Sequence, residues 1–267
     1  MEYKEIIFSV ADGIAIMTLN RSDTRNALTD PEMIAEIKAV CDLVNSDMGI
    51  KALIVTAVDP AFSSGGNVKD MKDRRGMFEG TPAELMVKYG RNIQEVLLSV
   101  YNVEIPTIAA VNGSAVGAGC GLALVCDIRV ASKQAVFGET FLNVGLIAGD
   151  GSAYTLPRAV GMGKACELIF TGETIDADTA LSIGLVNQVA EHDQLLETAK
   201  KMAKKISFKP PQALRMTKCL IRRAQNETLE NTMLNAAAYQ SLCHFTDDHM
   251  EALSAMFEKR KPRFLGK

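Results

Sequence analysis

The sequence has no tryptophan, only three histidines and no excess of positive charge. Each absence removes a class of function. With no Trp and 6% aromatic residues, a stacking platform for bases is not available. A formal net charge of −3, from 29 Lys and Arg against 32 Asp and Glu, argues against general nucleic-acid binding, which needs a basic face, and leaves room only for a local basic patch. The histidines His192, His244 and His249 all fall in the C-terminal part, and no Cys or acid set stands at ligand spacing, so no metal is expected. His244 and His249 are also wrongly spaced to share a helical metal face. No apolar stretch reaches the roughly 20 residues that span a membrane. The start, "MEYKEIIFSV", lacks the basic segment and apolar run of a signal peptide. The six cysteines form no C-x-x-C pair, and several sit in apolar runs such as "ALVCDI", which reads as buried, reduced thiols. The expectation is a cytoplasmic protein with neither nucleic acid nor membrane as partner.

Three motifs are also missing. No G-x-x-x-x-G-K-[ST] phosphate loop is present. No G-x-G-x-x-G follows the first strand, because "GAGCG" breaks that spacing. No G-x-S-x-G elbow supports a Ser-His-Asp hydrolase.

What is present alternates. "KEIIFSV" and "GIAIMTLN" read as strands joined at Asp12-Gly13. "TDPEMIAEIKAVCDLVNSD" reads as a helix capped by Asp30 and opened by Pro31. "KALIVTAV" is a β-branched apolar run suited to burial on both faces of a parallel sheet. A helix is expected over about 82 to 100, then the strand "TIAAV", a Gly-rich turn, a further helix and the strand "DIRVAS". From about 192 onward only helical runs remain, "HDQLLETAKKMAKKI" through "DDHMEALSAMFEKRKP". The class is α/β, with an expected core over 1–195 and a C-terminal helical region over 196–267.

Two stretches share one design. In "ALIVTAVDPAFSSGGNVKDM" and in "TIAAVNGSAVGAGCGLAL", a buried strand leads through a loop of small residues into a helix. Each loop exposes backbone N–H groups at a helix N-terminus, where the helix dipole adds partial positive charge. Two N–H donors converging on one oxygen would stabilise the negative charge that a thioester carbonyl gains in reaction.

In order along the chain, "RNAL" (25–28), "AFSSGGNVKDM" (61–71), "PTIAAVNGSAVGAGCGLALVCDIRVAS" (106–132), "VGLIAGDG" (144–151) and "TGETIDADTALSIGLVNQV" (171–189) resemble the crotonase superfamily, the enoyl-CoA hydratase/isomerase group. The resemblance implies a crotonase-type spiral of ββα turns with a C-terminal helical trimerisation region, a homotrimer or dimer of trimers, and an acyl-CoA substrate. It implies no cofactor other than the coenzyme A thioester itself. It maps the two oxyanion N–H donors onto Gly66 and Ala118. It maps substrate contacts onto Arg25, Ala27, Leu28, Ser64, Gly65, Asn67, Val68, Gly117 and Phe141. Phe264 and Lys267, in the terminal "FEKRKPRF" element and its tail, are weaker candidates that in a trimer reach a neighbour's CoA. The varied segment 68–86 matches a stretch over the acyl chain, so Met71, Met77 and Phe78 are candidates for chain specificity.

The departures concern the acids. Hydratases of this family use two glutamates, and here the matching positions are Gly121 and Phe141. Hydration needs groups that hold water and shuttle a proton. Two other acids stand nearby. Glu139 shares a face with Phe141 if that segment is extended, and Phe137 and Phe141 would desolvate it and raise its pKa. Otherwise it caps a turn or pairs with Arg129 or Lys133. Asp150 precedes a helix start and is either its N-cap or a working carboxylate, as in family members of other chemistries. Asp127 reads as structural. The expected activity is double-bond isomerisation or hydration of an enoyl-CoA. The alternatives are an acyl-CoA thioester or C–C bond hydrolase on the same fold, and a degenerate acyl-CoA-binding protein.

Overall fold

The computed structural model describes residues 3–267. Its first unit is a hairpin of β1 (Ile6–Ala11) and β2 (Ile14–Leu19). Asp12 and Gly13 both take positive φ, as the two-residue turn that matches strand twist requires. Helix α1 (Pro31–Ser46) follows; Asp30 Oδ1 accepts from the N–H groups of Glu32 and Met33. Its buried residues, from Met33 to Val44, recur at helical spacing.

Three strand–strand–helix turns then repeat. β3 (Ala52–Ala57) and β4 (Ala61–Ser63) lead into α2 (Val68–Asp73). Before the next turn come α3 (Pro82–Arg91) and α4 (Ile93–Tyr101). The single helix expected over 82–100 is therefore two, broken at Asn92, whose φ and ψ are −116° and −97°. β5 (Thr107–Val111) and β6 (Ser114–Val116) lead into α5 (Ala118–Val125). β7 (Ile128–Ser132) and β8 (Val136–Gly138) lead through a 3-10 turn, Thr140–Val144, into α6 (Ser152–Val160). α7 (Met162–Thr171), β9 (Ile175–Asp176), α8 (Ala177–Ser182) and β10 (Gln188–Ala190) close the core.

The first strand of each turn joins one sheet, ordered β1-β2-β3-β5-β7-β10, and the second joins another, ordered β4-β6-β8-β9. Apart from the β1–β2 and β8–β9 pairs, all pairings are parallel. The expected α/β spiral of ββα turns is the observed fold.

All six residues of β3 are buried because both faces of the large sheet are covered. The inner face packs with α1, α4 and α5 in the main core. The outer face, with Ile14, Ile54, Ile108 and Val130, is covered by Leu195, Ala199 and Ala203 of α9 (Leu195–Ser207). α9 thus begins at the boundary expected from the sequence but lies on the sheet. Beyond it come α10 (Pro211–Ala224), α11 (Leu229–His244) and α12 (Asp247–Phe257). They leave Leu234, Phe245 and Phe257 largely exposed. No helix among the described residues is long and apolar enough to cross a membrane.

Candidate active site

The site forms where the β3–β4 and β5–β6 turns deliver their loops side by side. Gly65, at φ +73°, lies against the second loop: a Cβ there would stand 2.7 Å from Val116 O and 2.9 Å from Ala118 N. A methyl on Gly119 would overlap the backbone carbonyl of Ser63. Gly117 holds φ +51°, which a side chain rarely adopts. The loops are bare of side chains because their backbones touch. Among the described residues, neither the Gly66 nor the Ala118 N–H has an acceptor. The Met71 methyl lies directly beside Gly66.

The segment "RNAL" buttresses the first loop. Ser64 N–H donates to Arg25 O at 2.9 Å, and Leu28 N–H donates to Gly65 O at 2.8 Å. Ser63 Oγ donates to Asn26 O at 2.7 Å, and Ser64 Oγ to Thr24 O at 3.0 Å. Asn26 is the residue that sequence reasoning missed. It is fully buried, accepts from Arg21 N–H and donates to Val58 O and Ala61 O. Its backbone, like that of Arg25, has positive φ, a conformation Asn tolerates better than most residues. In the sequence it follows the polar run Ser22-Asp23-Thr24-Arg25, and nothing there sets it apart. Asn26→Ala leaves the Arg21 N–H and two carbonyls without partners. The expected loss is about 2–3 kcal/mol of stability, measured by urea unfolding.

Asn67 and Val68 lie as expected at the start of α2, but the Asn67 side chain caps that helix by accepting from Lys69 N–H. Ala27 and Asn67 line a cavity of about 450 Å³ with Arg21, Arg75 and Lys88 and, against these, Asp30 and Asp70. Arg75 also pairs with Asp73, and Met77 and Phe78 are buried at the cavity wall. Phe264 and Lys267 are not brought to this site within one chain. Phe264 O accepts from Lys51 Nζ, and Lys267 O accepts from Asp248 N–H. Lys51 precedes β3, whereas the Gly loop follows it, so the tail sits at the opposite end of a six-residue strand, roughly 20 Å long.

Two carboxylates are buried at the far side of the loops. Glu139 is 2% exposed, and neither of its oxygens makes a hydrogen bond of ordinary geometry. It pairs with neither Arg129, which donates to Leu185 O and Cys126 O, nor Lys133, which pairs with Glu191. Burial first, and the Asp150 carboxylate second, push its pKa well above the usual range; Ser152 and Cys120 offset this only in part. The expected face-sharing with Phe141 fails because the chain leaves β8 for the 3-10 turn. Phe141 instead sets its ring over Gly117, 3.6 Å from where a Cβ would stand.

Asp150 lies two residues before the start of α6. Its Oδ1 accepts from Ser152 N–H at 3.0 Å and from Ser152 Oγ at 2.5 Å, a cap-like pair, although Gly151 is the N-cap proper. Its Oδ2 has no partner and fills the space in which a side chain at Gly121 would begin. A carboxylate has thus entered from the turn before α6 where α5 offers none. Burial raises the Asp150 pKa, and the Ser152 hydrogen bonds hold the rise back. Phe141 and Asp150 line a cavity of about 320 Å³ with Met86, Tyr89 and Ile147.

The remaining polar clusters lie elsewhere. Asp127 is structural, held by Lys218 and Arg222 at 2.7 Å each. His192 bridges Ser132 Oγ and Asp59 Oδ2, but Ser132 is fully buried, so this trio offers no accessible nucleophile. His244 and His249 are on different helices with ring nitrogens 3.2 Å apart, and no group of three metal-ligating residues occurs among the described residues. All six cysteines are free, and Cys219 is exposed rather than buried.

Comparison with known proteins gives a consistent result. The profile of the family described as enoyl-CoA hydratase/isomerase matches residues 9–267. A crotonyl-CoA hydratase of Syntrophomonas wolfei is 35% identical over 268 residues, covering 100% of both chains. A short-chain-enoyl-CoA hydratase of Clostridium acetobutylicum is 36% identical, over 98% of this chain and 97% of its own. A crystal structure of an enoyl-CoA hydratase from Bacillus anthracis superposes with a TM-score of 0.92 at 29% identity, over 99% of this chain and 100% of that one. With its whole length so matched, and its two glycine loops meeting at one site, the chain belongs to the enoyl-CoA hydratase/isomerase family.

Proposed function

We propose that the protein moves protons on enoyl-CoA thioesters, with Gly66 and Ala118 N–H groups holding the thioester oxygen and Asp150 and Glu139 acting as base and acid. The observation that carries this is the pair of buried carboxylates, each with an unpartnered oxygen, beside two free N–H groups. The Asp150 charge raises the pKa of Glu139. Ser152 stabilises charge on Asp150 with two hydrogen bonds, whereas Glu139 has none of ordinary geometry and feels the Asp150 charge. The negative charge therefore rests on Asp150 and the proton on Glu139, as acid and base assignments require.

In isomerisation, the Asp150 carboxylate takes a proton from the γ-carbon of a 2-enoyl thioester. The electrons move into a dienolate whose oxygen lies between the Gly66 and Ala118 N–H groups, and Glu139 returns a proton to the α-carbon. Hydration is a second reading, favoured because Asp150 supplies a carboxylate in the space that Gly121 leaves empty. There Asp150 takes a proton from water as its oxygen adds to the β-carbon, and Glu139 protonates the α-carbon. Neither route needs a cofactor beyond the thioester. The exposed apolar residues of α11 and the turn after it, Leu234 and Phe245, support assembly as a homotrimer or dimer of trimers.

The test is incubation with 2-enoyl-, 3-enoyl- and 2,4-dienoyl-CoA. Conjugation is followed by absorbance, water addition by mass and thiol release by a colour reagent. Isomerised or hydrated product is expected; thiol release alone, or no turnover, rejects the reading. Asp150→Asn should lower kcat by about 10²-fold or more and remove the acid limb of the pH profile, because the group that must be ionised is gone. Gly121→Ala should lower kcat about tenfold or more without any change of acid, because its methyl displaces Asp150 Oδ2.

A further inference from the structure

Three cavities lie end to end from the site outward. The 320 Å³ cavity and a second of about 430 Å³ share Gln94 and Asp150. The second and a third of about 370 Å³ share Tyr101, Tyr154 and Thr155. The path begins among apolar side chains, Met86, Ile93 and Phe141, and continues past Leu97 and Leu98. Its far end changes character. Arg129, Arg158, Lys218 and Arg222 line the third cavity against a single carboxylate, Asp127.

Most of that positive charge is already committed. Lys218 and Arg222 bind Asp127, and Arg129 donates to two backbone carbonyls. Arg158 is different. Its guanidinium stacks on the Tyr154 ring at 3.5 Å, and only Nη1 donates, to Tyr154 O. The residue is exposed, and its Nε and Nη2 have no protein acceptor among the described residues. Stacking holds the planar fork in place while leaving two N–H directions open, the geometry a carboxylate takes up. Arg222 stacks likewise on Tyr101 at 3.7 Å, so both tyrosines shared by the second and third cavities are backed by cations. Within the path itself, Gln94 Nε2 donates to Gly149 O, and Asn226 exchanges hydrogen bonds with the Tyr154 hydroxyl.

We infer that the acyl group has an anionic far end, a carboxylate that Arg158 receives, so that the substrate class is the ω-carboxyacyl-CoA thioesters. The inference rests on the acyl-CoA reading above and deepens it. Arg158 stands six residues along α6 from Ser152, a rise of roughly 9 Å, which suits a chain of about ten carbons beginning at the carboxylate pair. A simple fatty acyl chain would meet Leu124, Leu214 and Ile221 of the same cavity but would gain nothing from the Arg158 guanidinium beside them.

Calorimetric titration of the intact protein with decanoyl-CoA and its ω-carboxy counterpart tests this without depending on turnover. Wild type should bind the carboxylated thioester about tenfold or more tightly, as one charge-assisted hydrogen-bonded contact supplies. In Arg158→Ala the ratio should fall to near one, and Arg158→Lys should keep part of it. Equal or tighter binding of decanoyl-CoA by wild type, or a preference that survives in Arg158→Ala, overturns the inference. Binding of neither thioester overturns the acyl-CoA reading itself.

Discussion

Glu139→Gln should lower kcat on enoyl-CoA thioesters by about 10²–10⁴-fold, with KM nearly unchanged. The amide matches the carboxyl in shape but has no proton to give. The alkaline limb of the pH profile, where wild-type Glu139 loses its proton, should vanish with it. Stability should move the other way. Glu139 is buried without a hydrogen-bond partner, and its pKa is raised by burial and by Asp150. A carboxyl with a raised pKa in the folded protein contributes fully below its unfolded value of about 4.5, and that contribution is lost as pH rises through the raised value. The Gln variant has no such loss. Thermal unfolding should therefore show the variant gaining on wild type as pH rises, to about 1–3 kcal/mol. A variant that is inactive yet more stable at high pH separates a working acid from a structural one. Equal activity in wild type and variant removes Glu139 from the mechanism.

Gly119→Ala should be as damaging by a different route. The added methyl overlaps the carbonyl of Ser63, a backbone atom that cannot rotate away. The two loops must part, and their N–H groups then diverge from a common oxygen. Losing one such donor costs about 10²–10³ in kcat in comparable sites, so a fall of at least about 10² is expected. Overpacking adds a stability loss of about 1–3 kcal/mol. Both acids remain in place, so the pH profile should keep its shape as its height collapses. This variant probes the N–H pair, which no side-chain deletion reaches.

Much of this was legible in the sequence, for particular reasons. The run "ALIV" is apolar throughout because α9 and the inner helices cover both faces of its strand. The glycines of both loops announced themselves as clusters directly after buried strands, and the structure gives the cause: Gly65 and Gly119 each lie against the opposite loop. The second sheet was not legible. Its strands are two or three residues long, too short for any periodicity, and each is specified by neighbours from other turns of the spiral. The carboxylate pair was half legible. Glu139 and Asp150 stood out as the acids left near two vacated positions. That Asp150 fills the space beside Gly121 is a relation between α5 and α6, which only the fold brings into contact. The alternation argument for Glu139 and Phe141 failed because it assumed a strand that ends at Gly138. The fit of a C-terminal residue to the site was likewise beyond one chain, whose tail docks near Lys51.

The most direct measurement is a crystal structure with an unreactive acyl-CoA thioester bound. The thioester oxygen should lie about 3 Å from both Gly66 N and Ala118 N, with the α-carbon against Glu139 and Asp150. A thioester oxygen that meets neither amide, or an acyl group seated away from the two carboxylates, contradicts the account.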